Sequence, residues 1–158
     1  MSRLNYTQLS EPAANALFAL ENAVKSLGFE PRLSDLVRIR VSQLNGCLLC
    51  TDMHVKEATL HEERPLRLYH LTAWRESPLF TGREKAALAW AELLTRPSEH
   101  GVTDEDYARA REHFSEKELS DLTFVVTTIN AWNRLGVAFR AAPGSYDKML
   151  GLERANLR

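Results

Sequence analysis

Ser34-Asp-Leu-Val-Arg-Ile-Arg-Val-Ser-Gln-Leu-Asn-Gly-Cys-Leu-Leu-Cys-Thr-Asp-Met-His-Val-Lys-Glu-Ala58 is the stretch whose reading decides the fold. In its first half Leu36, Val37, Arg40, Val41 and Leu44 lie along one side of a helix. Val37, Ile39 and Val41 also alternate, so a strand is the rival reading. Helix is preferred because Gln43-Leu44-Asn45 extends the run and no second strand candidate follows to pair with it. Ser34 is read as the N-cap, and Phe29-Glu30-Pro31-Arg32 as a short link before it. Asn45-Gly46 is a turn signal, so another helix is predicted from near Cys47 to about Glu63.

Outward from this core both flanks read as helix. Upstream, Ser10 is a candidate cap and Pro12 sits in the first turn. Ala13, Ala16, Leu17, Leu20, Val24 and Leu27 follow at helical spacing, with Gly28 as the stop. Downstream, Pro65 opens a helix through Thr72. Thr81 with Glu84 and Ser115 with Glu118 match capping boxes, and Thr103-Asp-Glu-Asp106 caps a short helix to about His113. The Ser115 cap opens the longest helix, reaching Phe139, and the tail to Arg158 reads as a short helix or an arm. The expected fold class is all-α. We read residues 1–158 as a single-domain bundle of about six to eight helices with a core near 34–63.

Composition narrows the function classes. Lys plus Arg is 20 and Asp plus Glu is 21 in 158 residues, a net charge of −1, which argues against general nucleic-acid binding. No apolar run is long enough for a membrane helix and the first residues are polar, so a cytoplasmic protein is expected. Static disulfides are rare there. The two cysteines, Cys47 and Cys50, stand three apart.

On a helix Cys47 and Cys50 differ by about 60°, and Cys50 and His54 by about 40°, so all three share a face. Their position at a helix start favours a thiolate, through unpaired N–H groups and the macrodipole. The leading reading is a redox dithiol. Two small buried apolar residues are the plain alternative. Zinc is the other; it needs a fourth ligand, from His61, His70, an acid or another chain, and no metal is expected. Thr51 follows Cys50, which excludes the c-type haem attachment motif. Trp74, Trp90 and Trp132 are read as core or subunit-contact residues. Asn130, Asn133 and Arg134, polar on an otherwise apolar helix, are read as structural.

The 34–58 stretch resembles the core of alkylhydroperoxidase-D-like proteins of the carboxymuconolactone decarboxylase superfamily. The resemblance continues through Leu71-Thr-Ala-Trp-Arg-Glu76, Arg83-Glu-Lys-Ala-Ala-Leu-Ala-Trp-Ala-Glu92 and Ile129-Asn-Ala-Trp-Asn-Arg134. It implies a thiol-dependent peroxidase acting on hydrogen peroxide or small organic hydroperoxides, assembled as a homo-oligomer, trimer or hexamer. It needs no cofactor, and an external dithiol reductant regenerates it. It implies that Cys50 attacks peroxide and Cys47 resolves the sulfenic acid. His54 then belongs to a proton relay with a carboxylate twelve residues before Cys47. That residue is Asp35 here, one methylene shorter than the family's glutamate, and Leu49 stands where relatives often carry an aromatic residue or His. The rival functions are a non-redox decarboxylase-type enzyme on the same fold and a redox-sensing helical interaction module.

Overall fold

The computed structural model describes residues 2–157. Among them the chain is all-α: α1 (Tyr6–Leu9), α2 (Glu11–Ser26), α3 (Pro31–Asn45), α4 (Leu48–Leu60), α5 (Pro65–His70), α6 (Gly82–Thr95), α7 (Asp104–Arg111), α8 (Glu116–Phe139) and α9 (Asp147–Leu150). Short 3-10 turns at Leu71–Ala73 and Leu152–Ala155 complete it.

Helix α3 is the hub. It packs against α4, α6 and α8 together, which is why its apolar residues show no solvent stripe. Leu36, Val37 and Val41 are fully enclosed, and even Asp35, Arg38 and Ser42 are buried. Two apolar clusters result. One joins Val37 and Val41 to Leu122, Val126 and Ile129 of α8. The other joins Leu36 and Ile39 to Leu71, Trp74 and Leu88. A helix buried all round explains the strand-like alternation seen in its sequence.

Local chemistry sets the boundaries. Of the five predicted caps, those on Thr81, Thr103 and Ser115 form as capping boxes. Ser34 is not a cap. Helix α3 starts three residues earlier at Pro31, whose fixed φ suits the first helical position, and the Ser34 hydroxyl instead accepts from Arg38 Nε at 3.2 Å. Ser10 holds the N-cap position of α2 without a side-chain cap bond. Helix α4 ends at Leu60 rather than Glu63, because Glu62 takes a left-handed φ of 60°. Helix α7 likewise stops at Arg111, short of His113. No helix among the described residues is long and apolar enough to cross a membrane.

Candidate active site

Gly46 turns α3 back into α4 with φ 67° and ψ 28°, a left-handed conformation open to glycine at little cost. The reversal makes Cys47 the N-cap of α4 and puts Cys50 in its first turn. Both cysteines are free thiols and buried, with exposures of 2% and 5%. Cys47 is lowered to about 7, first by the Cys50 thiol as hydrogen-bond partner and then, against the cost of burial, by the backbone N–H groups of Cys50 and Leu49 and by Asn133. The unpaired N–H groups of a helix start are natural partners for a thiolate. Cys50 is pushed up, because its proton is held against Cys47 and because it is buried. Of the two, Cys47 is the thiol whose ionisation the site favours.

Helix α8 closes over the pair. A Cβ on Gly136 would stand 2.6 Å from Cys47 Sγ and 3.8 Å from Cys50 Sγ, so only a hydrogen at this position lets the helix approach so closely. One turn before it, Asn133 is fully buried. Its amide donates to Ser42 Oγ at 3.1 Å and accepts from Asn45 at 2.9 Å, and it also faces both thiols. Asn130 accepts from the same Asn45 amide and from Arg134, so these two residues do the structural work expected of them. Asn133 does more, because it is part of the thiol site.

The expected relay is rearranged. His54 is buried, but its Nδ1 pairs with Glu57 Oε2 at 2.5 Å and not with Asp35. Glu57 lies one turn along the same helix, where no tertiary alignment is needed to reach the ring. Burial pushes the Glu57 carboxyl up, yet the His54 hydrogen bond, with Lys25 and Arg38 nearby, holds it down at about 2. Asp35 is brought beside α4, as the turn requires, but its partner is His61 Nδ1 at 2.6 Å. Burial raises the Asp35 carboxyl, and His61 opposes the rise. His70 pairs with Ser77 at 3.0 Å. Among the described residues no cluster of three His, Cys, Asp or Glu side chains is arranged to hold a metal.

Cys50 and His54 open onto a pocket of about 160 Å³. Leu49, Met53, Phe18, Trp132, Tyr6 and Tyr146 form much of its wall. Arg38 and Glu57 also line it, whereas Cys47 does not. Arg38 Nη1 donates to Glu21 at 2.9 Å, and Glu21 also accepts from Trp132 Nε1 at 3.2 Å. Sequence reasoning missed Glu57, although its spacing from His54 was visible. It missed Gly136, a lone glycine in a long helix, which often marks a close approach. Arg38, Glu21 and Tyr6 had no local signal.

The model of the carboxymuconolactone decarboxylase family matches residues 11–93. The chain belongs to this family. An uncharacterized Bacillus subtilis protein, YdfG, is 36% identical over 136 residues, which is 86% of this chain and 92% of that protein. A structure of an Agrobacterium tumefaciens protein, described as a putative antioxidant defence protein AhpD, superposes with a TM-score of 0.86. It is 39% identical, over 90% of this chain and 98% of the other. The debrominase Bmp8 has a TM-score of 0.75 over 94% of this chain and 80% of its own, at 18% identity, and so shares the fold alone. Carboxymuconolactone decarboxylase family membership thus agrees with the AhpD-like all-α architecture.

Proposed function

We propose that this protein is a thiol-dependent peroxidase that works through a Cys47–Cys50 dithiol–disulfide cycle. The observation that carries the reading is a pair of buried free thiols at the start of α4, of which Cys50 alone lines the pocket; the same hydrogen bonding lowers Cys47 to about 7. Such a pair is poised to become a nucleophile.

The Cys50 proton passes to Cys47 along their hydrogen bond, which leaves the thiolate on the sulfur facing the pocket. That thiolate attacks the outer oxygen of R–O–O–H. An S–O bond forms, the O–O bond breaks, and Cys47 gives its proton to the departing alkoxide. Cys50 is now a sulfenic acid and Cys47 a thiolate. Cys47 attacks the Cys50 sulfur and hydroxide leaves as the disulfide closes. The hydroxide takes up a proton by way of His54, which Glu57 holds in place, and leaves as water. A dithiol reductant then restores both thiols by exchange, so two electrons enter for each peroxide reduced. Asp35 acts behind this site through its pairing with His61, not as the direct partner of His54.

The resemblance to alkylhydroperoxidase-D-like proteins supports this cycle, as does the membership of an Agrobacterium relative described as a putative antioxidant protein. It also supports assembly as a trimer or hexamer, for which exposed Leu66, Tyr69 and Phe124 supply apolar surface. The test is peroxide consumption by purified protein in the presence of dithiothreitol, with thiols counted before and after one equivalent of peroxide. Two thiols lost per peroxide, with turnover, is the expected result. Disulfide formation without turnover would make the pair a sensor and refute the enzyme.

A further inference from the structure

We propose that His61 is the proton port of the dithiol site: it takes a proton from bulk water and hands it to His54 by way of Asp35 and a second, polar cavity behind Glu57. This rests on the peroxidase reading above and deepens it. The cycle needs a port whenever the dithiol holds a single proton, the state that the lowered Cys47 favours above about pH 7. One thiol, one thiolate, one hydroperoxide and one proton then become a disulfide, an alcohol and water. The S–S bond forms and the O–O bond breaks, sulfur is oxidised and peroxide reduced, and one proton comes from outside the pair. Both thiols are buried, and Leu49, Met53, Phe18 and Trp132 on the pocket wall give a water few partners.

The second cavity has a volume of about 500 Å³. One water needs roughly 10–15 Å³ and two or more polar partners. Lys25, Arg38 and Glu57 border both spaces, so Glu57 stands in the wall between them. Asp35 and His61 also line the second cavity, and they are already paired, Asp35 Oδ2 with His61 Nδ1 at 2.6 Å. Their access differs sharply: the His61 side chain is 45% exposed and that of Asp35 6%. Imidazole is the side chain suited to exchanging protons with water near neutral pH. Asp35 suits the inner step. Burial raises its carboxyl, His61 opposes the rise, and Glu57 and His54 both lie near enough to act on it. A proton crosses a hydrogen bond or one intervening water, and the cavity has the room and the polar wall for that water.

The charges around this route leave it passable to a proton. On α3 Asp35 holds His61, and on α4 Glu57 stands one turn before it. Lys25 of α2 and Arg154 of the last 3-10 turn line the same cavity. Arg32 donates through Nε to the His61 carbonyl at 2.8 Å and meets Glu62 at 3.4 Å. The inner cations are matched: Arg38 bonds Glu21 at 2.9 Å, and Lys25 lies 3.8 Å from Glu21 and from Glu57. The path itself runs from imidazole to carboxylate to carboxylate to imidazole.

The test mixes the reduced whole protein with one equivalent of hydrogen peroxide at pH 8. Acid quench at set times gives the rate of disulfide closure, and dimedone in a parallel run traps sulfenic acid. In His61→Gln closure should slow by about tenfold or more, since one positioned proton donor is worth about 10²–10⁴ in rate. Sulfenic acid should accumulate at Cys50, and millimolar imidazole in solution should restore closure in proportion to its concentration. His70 pairs with Ser77 and does not line the cavity, so His70→Gln should match the natural protein with or without imidazole. A merely structural loss would slow peroxide attack and closure alike and would ignore imidazole. If His61→Gln misfolds by circular dichroism, Asp35→Asn, which keeps the size of the side chain but carries no proton, should accumulate the same sulfenic acid. Closure at the natural rate in the variant used, or a loss in His61→Gln that imidazole does not restore, overturns the port and leaves the peroxidase standing. A natural protein that forms neither sulfenic acid nor disulfide overturns the peroxidase, and the port with it.

Discussion

Gly136→Ala is the sharpest probe of how α8 tunes the dithiol. The new Cβ would fall 2.6 Å from Cys47 Sγ. Ordinary contact is about 3.5–4.0 Å, so sulfur and helix must separate by about 1 Å. Overpacking of this kind costs about 1–3 kcal/mol, while Ala in place of Gly in a helix returns about 1 kcal/mol. The net loss is about 0–2 kcal/mol. At about 2–4 °C per kcal/mol, Tm falls by no more than about 8 °C. The thiol responds more strongly. Cys47 sits at about 7 because the Cys50 thiol, two backbone N–H groups and Asn133 all reach it, and its ordinary value is 9.0. Its thiolate fraction at pH 7 is then about one half, against about one hundredth at the ordinary value. A shift of the sulfur by about 1 Å loosens those contacts, and the rate of iodoacetamide alkylation at pH 7 should fall by about tenfold or more. The assay is alkylation rate against pH, beside thermal unfolding. A variant that gains the full helix-propensity stabilisation and keeps the alkylation midpoint near 7 would refute the argument, since Gly136 would then not be in contact with the thiol.

The other predictions use the same two readouts and add a third. Asn133→Leu takes one hydrogen bond each from Asn45 and Ser42, which keep Asn130 and the Arg38 carbonyl, and removes a thiol partner. It should cost about 1–3 kcal/mol, seen in Tm, and raise the alkylation midpoint. His54→Gln should lower the peroxide rate by about 100-fold, and Glu57→Gln by less, as measured in the dithiothreitol-coupled assay. Glu57 is lowered from 4.5 to about 2, so its contribution to stability is complete above pH 4.5 and lost as pH falls through about 2. Urea midpoints of the natural protein and Glu57→Gln should therefore differ at pH 6 and converge below pH 2; a constant difference would contradict the pairing. Cys47→Ser should trap a sulfenic acid at Cys50, and Cys50→Ser should not react with peroxide. A dimedone label found on Cys47 alone would reverse the roles. Light scattering at micromolar concentration should show a trimer or hexamer, and a stable monomer would remove that part of the proposal.

The helices, their capping boxes and the Asn45-Gly46 reversal were legible in sequence because they depend on neighbours three or four residues apart. So was the placing of Cys50 and His54 on one face of a helix, whereas Cys47, read as part of that helix, is its extended N-cap and stays out of the pocket. Ser34 misled because a serine before an apolar run reads as a cap, whereas Pro31 had already fixed the start of α3. The carboxylate of His54 was misassigned for a related reason. Glu57 needs only one turn of α4, but Asp35 depends on how α3 and α4 align, and that alignment gives it to His61. Which thiol is lowered follows from the α3–α4 turn, which gives Cys47 the Cys50 thiol and the N–H groups of a helix start. Tertiary structure alone brought Asn133 and the bare backbone of Gly136 from α8 onto thiols more than eighty residues earlier in the chain. It also decided the pocket, whose wall joins Tyr6 near one end of the chain to Tyr146 near the other. Local periodicity records which face of a helix is apolar. It holds no record of which distant side chain that face will meet.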